Sequence, residues 1–282
     1  MLQPKGIAEQ LLFSTVRLAA DNGSSGTGFF FNFKIENYII PVIITNKHVV
    51  NNHEFEAMTF QIHLSSDGKT DEGSIAIRLD AHWLFHPDQD LCFAYCQPIL
   101  EEIPKRTGKQ VFFKGLSDDY IYDEEKLKTL SMLEEVVMIG YPIGLYDEQH
   151  NFPIFRHGCT AAHPGYDFNS KGIGLIDMAC FPGSSGSPVF VLNEGSYNDP
   201  QGNMYIGQRV IFLGTLSSGP IMNSEGEIVP KEIPMVTVPV AQTRTMINLG
   251  YYIKSYELKK FIPIIEKDLR RQIENEKPHQ ER

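Results

Sequence analysis

Short apolar runs closed by turn residues dominate the chain. "GTGFFFNF" and "YIIPVIIT" are rich in β-branched and aromatic residues and flank the turn-like "KIEN". "FEAMTFQIHL", "GSIAIRLD" and "DLCFAYCQPI" follow, broken by "SSDGKTDEG" and "HPDQ". Further on come "EEVVMIGYP", "GIGLIDMAC", "SPVFVLN", "QRVIFLGTLSSG" and "EIPMVTVPV". Many strands with frequent turns and few helical stripes predict an all-β sandwich or barrel. The acidic, irregular segment 113–133 divides the strands into two halves and leaves room for one helical turn around "DEEKLKTL". "VLNEGSYNDPQGNMYIGQ" reads as a hairpin with a long exposed loop. Only the C-terminus reads as a convincing helix: Leu258, Phe261, Ile262 and Ile265 recur at helical spacing, with Pro263 interrupting them. The final "NEKPHQER" is polar and expected to fray.

Composition narrows the function classes. Of 282 residues, 42% are hydrophobic and 21% charged, as in an ordinary globular protein large enough to bury a core. The net charge of −10 argues against a nucleic-acid partner or an anionic membrane surface, since both need a basic face. No run approaches the roughly 18 apolar residues of a membrane span, and the N-terminus lacks the features of a secretory leader. The cysteines Cys92, Cys96, Cys159 and Cys180 all lie in or beside apolar runs, with no C-x-x-C pair. They read as buried thiols in a reducing cytoplasm rather than as a disulfide framework or metal site.

One stretch asks for a chemical explanation. "CFPGSSGSPVF" sets Ser184 and Ser185 between Gly183 and Gly186. A serine hydroxyl is a weak nucleophile. It needs a base within hydrogen-bond reach, a group to orient that base, and N–H donors for a developing oxyanion. Small residues let the backbone turn tightly enough to offer these. Among nine histidines, His48 in "IITNKHVV" directly follows a strongly apolar strand. "HPDQDLCFAY" offers Asp88 and Asp90 as the orienting acid, and Asp90 abuts the apolar run.

Together, "GTGFFF…IITNKHVV…DQDLCFAY…GSSGSPVF…FLGTLSSG" resembles the trypsin-like serine peptidases, in particular the disulfide-free bacterial branch similar to Deg-type proteases. The order His, Asp, Ser matches, with 42 residues from His48 to Asp90 and 95 from Asp90 to Ser185. "VMIGYPIG" resembles the segment opening the family's second barrel. The likeness covers roughly residues 12–253. It implies an all-β fold of two six-stranded antiparallel barrels and a C-terminal α-helix. The expected boundaries are 1–115 for the first barrel, 116–132 for the linker, 133–253 for the second barrel and 254–282 for the helix and tail.

The resemblance also implies roles. Ser185 matches the nucleophile of the pattern G-x-S-G-[GS]-P, with His48 as base and Asp90 as orienter. The N–H groups of Gly183 and Ser185 would form the oxyanion hole. Ala179 would sit at the base of the primary specificity pocket, and Gly219 on its wall. Ser217, Ser218 and Gly219 would pair with an extended substrate. An uncharged pocket base implies a preference for small-to-medium apolar side chains.

Two positions depart from the family pattern. Ser184 stands where secreted relatives carry the aspartate that pairs with a new N-terminus, so activation by N-terminal cleavage is not expected. Ser187 stands where glycine is common. The chemistry needs no cofactor, and the partners implied are a protein or peptide substrate and an activating protein. About thirty residues follow the second barrel, too few for a PDZ domain. An enzyme of restricted range, in a stress or defence system, is the leading expectation. A silent trypsin-like binding or scaffold module is the rival.

Overall fold

The structure, a computed structural model, describes residues 2–227 and 240–276. The predicted strand "EIPMVTVPV" and the polar tail lie almost wholly outside the described residues. The first half builds a nine-stranded sheet. Its strands are β1 (Thr15–Ala20), β2 (Ser25–Ile35), β3 (Tyr38–Thr45), β4 (Phe55–Ser66), β5 (Lys69–His82), β6 (Leu84–Phe85), β7 (Cys92–Tyr95), β8 (Gln110–Phe112) and β9 (Leu116–Ser117). The order is β5-β4-β1-β2-β3-β7-β6, with β8 on β4 and β9 parallel to β2.

The second half holds β10 (Glu135–Gly140), β11 (Ile154–Thr160), β12 (Ile173–Asp177), β13 (Pro188–Asn193), β14 (Ser196–Asn198), β15 (Met204–Ile206), β16 (Arg209–Ser218), β17 (Ile221–Glu227), β18 (Val240–Met246) and β19 (Leu249–Lys254). Six of these close a barrel in the order β10-β11-β12-β19-β16-β13, while β14-β15 and β17-β18 form separate hairpins.

Three apolar cores explain why these runs become strands. One lies within the first sheet, one within the closed barrel, and the third between the halves. β2 serves two of them. Phe30 faces the first core, while Phe29, Phe31 and Phe33 face the shared one. The aromatic run is therefore core on alternate faces, as its sequence suggests.

Leu258, Phe261 and Ile265 close the shared core, and Phe261 meets the rings of Phe93 (4.9 Å) and Phe33 (6.3 Å). The C-terminal helix thus reaches the first half as well as the barrel that precedes it. Pro263 does not break this helix. It stands in the first turn of α4 (Ile262–Glu276), after a 3-10 stretch Ser255–Phe261, where its fixed φ suits the helix.

The described residues hold more helix than the apolar stripes predict. Besides α1 (Ile7–Leu11), an eleven-residue helix α2 (Gln97–Thr107) follows β7 directly. The "DLCFAYCQPI" strand therefore stops at Tyr95. Pro98 in the first turn, Lys105 and Arg106 in the last and the left-handed Gly108 after it are all helix signals. Pro104 inside the helix masks them. The expected turn near "DEEKLKTL" is α3 (Glu124–Lys128), and Asp123 accepts the Lys126 N–H at its start (2.9 Å). The break expected at 65–73 is shorter than read. Ser66 pairs with Lys69 across Asp67–Gly68, whose positive φ values (53° and 73°) suit a two-residue hairpin turn. β1, β6, β8, β9, β11 and β17 lie outside the apolar runs that predict strands. Among the described residues no helix is long and apolar enough to cross a membrane.

His63 on β4 is buried at the seam between the halves, edge-on to Phe13 (4.8 Å) and beside Phe152 (6.0 Å). Burial pushes its imidazole down to about 4 from 6.5. The folded state thus resists a proton that the unfolded chain accepts, so this contribution to stability is complete above 6.5 and is lost as pH falls toward 4. Between pH 7 and 4.5 the loss should reach about 2–3 kcal/mol. Urea unfolding should show the wild-type chain losing that much more than His63→Phe. Equal losses would contradict the assignment.

Candidate active site

Strand register brings the first two candidate residues together. β3 and β7 are antiparallel neighbours with Thr45 opposite Cys92, so the residues after Thr45 and before Cys92 emerge at the same end. His48 lies on the single 3-10 turn Lys47–Val50 that follows β3, and Asp90 lies just before β7. Asn46, fully buried, donates from Nδ2 to the Asp90 carbonyl (2.8 Å) and ties the two loops.

The Asp90 carboxylate accepts on both oxygens. The His48 N–H donates to Oδ1 (3.2 Å), and His48 Nδ1 lies 2.6 Å from Oδ2. A third donor comes from the other half of the molecule: Ser217 Oγ, on β16, lies 3.1 Å from Oδ2. The sequence placed Ser217 only on a substrate-pairing strand, and its hydroxyl contact with Asp90 was not foreseen. Asp88, the other candidate, points elsewhere. It is 65% exposed and pairs with Lys260 at 3.0 Å.

Ser185 lies in the loop between β12 and β13. Two backbone bonds hold this loop to β16: Gly186 N–H to the Leu216 carbonyl (2.9 Å) and Leu216 N–H to the Ser187 carbonyl (2.8 Å). Ser185 thus stands beside Ser217, and its hydroxyl donates to the Ser217 carbonyl (3.3 Å) rather than to His48. His48, Asp90, Cys180, Ser185, Ser217 and Gly219 share one cleft of about 340 Å³ at the junction of the halves.

The loop turns at glycine. Gly183 has φ +88°, and a Cβ there would press on the Tyr141 carbonyl oxygen and the Ile143 nitrogen. The Pro182 carbonyl accepts the Ile143 N–H (2.6 Å). With no cis peptides in the described chain, the Gly183 N–H points the opposite way from that carbonyl. Neither the Gly183 nor the Ser185 N–H donates to a protein acceptor among the described residues. Ser184, in the aspartate position of secreted relatives, is fully buried.

Of the expected pocket residues, Ser217, Ser218 and Gly219 line the cleft. Ala179 is half-buried and outside the lining, and its neighbour Cys180 is the wall group. The Cys180 thiol donates to the Met178 carbonyl (3.2 Å), and burial pushes it up to about 11. It is a neutral surface, not a second nucleophile. A Cβ at Gly250 would strike the Cys180 sulfur, and one at Gly219 the Leu249 carbonyl oxygen. Gly250 thus lets Cys180 pack closely behind the cleft, and Gly219 lies on the lining itself.

Comparison with known proteins adds a family. The model of the trypsin-like peptidase domain matches residues 26–197, more than half of the chain. A thermostable serine protease from an extremophilic microorganism superposes with a TM-score of 0.42 at 14% identity, over 91% of this chain and 98% of its own. An inactivated protease paralogue from the scabies mite superposes with a TM-score of 0.46 at 12% identity, over 92% and 96%. No curated protein sequence matches significantly.

Proposed function

Because this chain belongs to the family of trypsin-like peptidase domains, we propose that it is a serine endopeptidase with Ser185 as nucleophile, His48 as base and Asp90 as the orienting carboxylate. The observation that carries the reading is the 2.6 Å contact of His48 Nδ1 with Asp90, in the cleft that holds Ser185. A carboxylate on Nδ1 keeps the proton there and leaves Nε2 free to take one from the serine. In the first step Ser185 Oγ rotates from the Ser217 carbonyl to His48 Nε2. It bonds to the substrate carbonyl carbon as its proton passes to Nε2. The oxyanion is met by the Gly183 and Ser185 N–H groups. The C–N bond then breaks, the amine leaves with the proton from Nε2, and an acyl-serine remains. Water, deprotonated by His48, releases the acid and restores Ser185.

An extended substrate would pair with Ser217–Gly219. The neutral Cys180 wall and the side-chain-free Gly219 of the lining support a preference for small-to-medium apolar side chains. The turned-away Ser185 hydroxyl supports a resting state that an activating protein partner or the substrate itself resets, and a restricted substrate range. The same observation favours the second reading, a silent binding module. The four free cysteines support a reducing compartment such as the cytoplasm.

A peptide library offered to the chain and to Ser185→Ala separates these readings. The expected result is cleavage after Ala, Val or Leu by the chain alone. Cleavage by Ser185→Ala would overturn the nucleophile, and a preference for Lys, Arg or Glu would overturn the pocket.

A further inference from the structure

The motif "GTG" opens β2, and its middle residue makes four bonds at the seam. Thr27 is fully buried. Its N–H donates to the Ser185 carbonyl (2.9 Å), and its Oγ1 donates to the Gly183 carbonyl (3.0 Å). The same Oγ1 accepts the Tyr141 N–H (3.1 Å). The Thr27 carbonyl accepts from Thr45 Oγ1 (2.7 Å), three residues before His48. One residue of the first half therefore grips the Ser185 loop on both sides of Ser184. It is also tied to the loop that carries Ile143 and to the end of β3, which leads into the turn that carries His48.

The flanking glycines make that grip sterically feasible. A Cβ at Gly26 would collide with Val49, beside His48, and a Cβ at Gly28 with Ile43. A Cβ at Gly186 would overlap the Thr27 carbonyl oxygen, and one at Gly140 would crowd Thr27 Oγ1. β2 can lie this close to both loops only with glycine at these places.

We propose that the Thr27 hydroxyl is a positioning group for the oxyanion donors. It fixes the Gly183 carbonyl, and with it the Gly183–Ser184 peptide, while its partner Tyr141 N–H anchors the loop whose Ile143 N–H holds the Pro182 carbonyl. The peptides before and after Gly183 are thereby both clamped, and the Gly183 N–H has one direction open to it. Small displacements of such a donor are costly, because the stabilisation depends on its aim at the developing charge. The inference rests on the catalytic reading above, but its structural half stands apart from it.

Thr27→Val keeps the shape and removes the hydroxyl, and Thr27→Ser keeps the hydroxyl. Each is compared with the wild-type chain in two measurements, after circular dichroism confirms folding. In the first, labelling by a fluorophosphonate probe is separated into the maximal rate and the half-saturating concentration. Thr27→Val should lower the rate about 10- to 100-fold with the half-saturation little changed, and Thr27→Ser should stay within about threefold. In the second, hydrogen exchange is read over 139–144 and 181–187. Protection should fall in Thr27→Val and persist in Thr27→Ser.

Wild-type labelling and exchange in Thr27→Val would overturn the inference. So would a serine variant as impaired as the valine one, since the methyl and not the hydroxyl would then matter. If the wild-type chain takes no label, the catalytic reading is what fails. Exchange then decides for Thr27 alone: loss restricted to valine supports it, and equal protection in all three chains overturns it. If Thr27→Val does not fold, labelling and exchange of Thr27→Ser decide in the same way against the wild-type values.

Discussion

Asp90→Asn should lower turnover by about 10⁴-fold with little change in stability or KM, as in the serine–histidine–aspartate template. All three donors that reach Asp90 are aimed at a carboxylate: the His48 N–H, His48 Nδ1 and the Ser217 hydroxyl. An amide of the same shape offers one oxygen and one NH₂. If the oxygen faces the His48 N–H, the NH₂ faces Nδ1 and drives the ring proton to Nε2, the nitrogen that must accept from Ser185. With the opposite rotamer, the NH₂ meets the backbone N–H and the site loses its order. The variant separates the two acid candidates when set beside Asp88→Asn. The Asp88 carboxylate pairs at the surface with Lys260, away from His48, so its amide should keep near-wild-type turnover. Equal losses in both variants, or a silent Asp88→Asn with an active Asp90→Asn, would contradict the assignment.

Gly186→Ala should destabilise the fold by about 3 kcal/mol or more and abolish probe labelling. The residue has φ +86°, which already penalises a Cβ. The new methyl would also overlap the Thr27 carbonyl oxygen and crowd Thr45 Oγ1. Both obstacles are on the first half, so relief requires the halves to separate or the Ser185 loop to lift. Gly195→Ala provides the comparison. Its φ is +100° and nothing lies within 4 Å of its Cβ, so it bears the conformational cost alone, about 1 kcal/mol. Urea midpoints for the two variants give the contrast directly. A Gly186→Ala chain as stable as Gly195→Ala would mean that the seam is looser than the bonds at Thr27 imply.

These two cases mark what the sequence could and could not disclose. His48, Asp90 and Ser185 stand out as candidates because each lies at the end of a strongly apolar strand or in a glycine-flanked turn, features that are local in the chain. Ser217 was legible as a strand residue but not as a donor to Asp90, since 127 residues separate the pair. Thr27 is harder still. "GTG" reads as a strand opening, and its partner Gly183 lies 156 residues away. α2 was missed for a different reason. Its signals are local, but the apolar run of β7 leads straight into it and Pro104 sits inside it. Ala179 is a pocket residue by resemblance alone, and a resemblance does not say which of two neighbours, Ala179 or Cys180, lines the cleft.

The central claim is that Ser185 is a nucleophile activated by His48. Its most direct test is fluorophosphonate labelling of the intact chain, followed by peptide mapping of the adduct, with Ser185→Ala and His48→Ala beside it. The expected result is one adduct, on Ser185, absent from both variants. An adduct on another residue, labelling that survives in His48→Ala at the wild-type rate, or a folded wild-type chain that takes no label would contradict the claim.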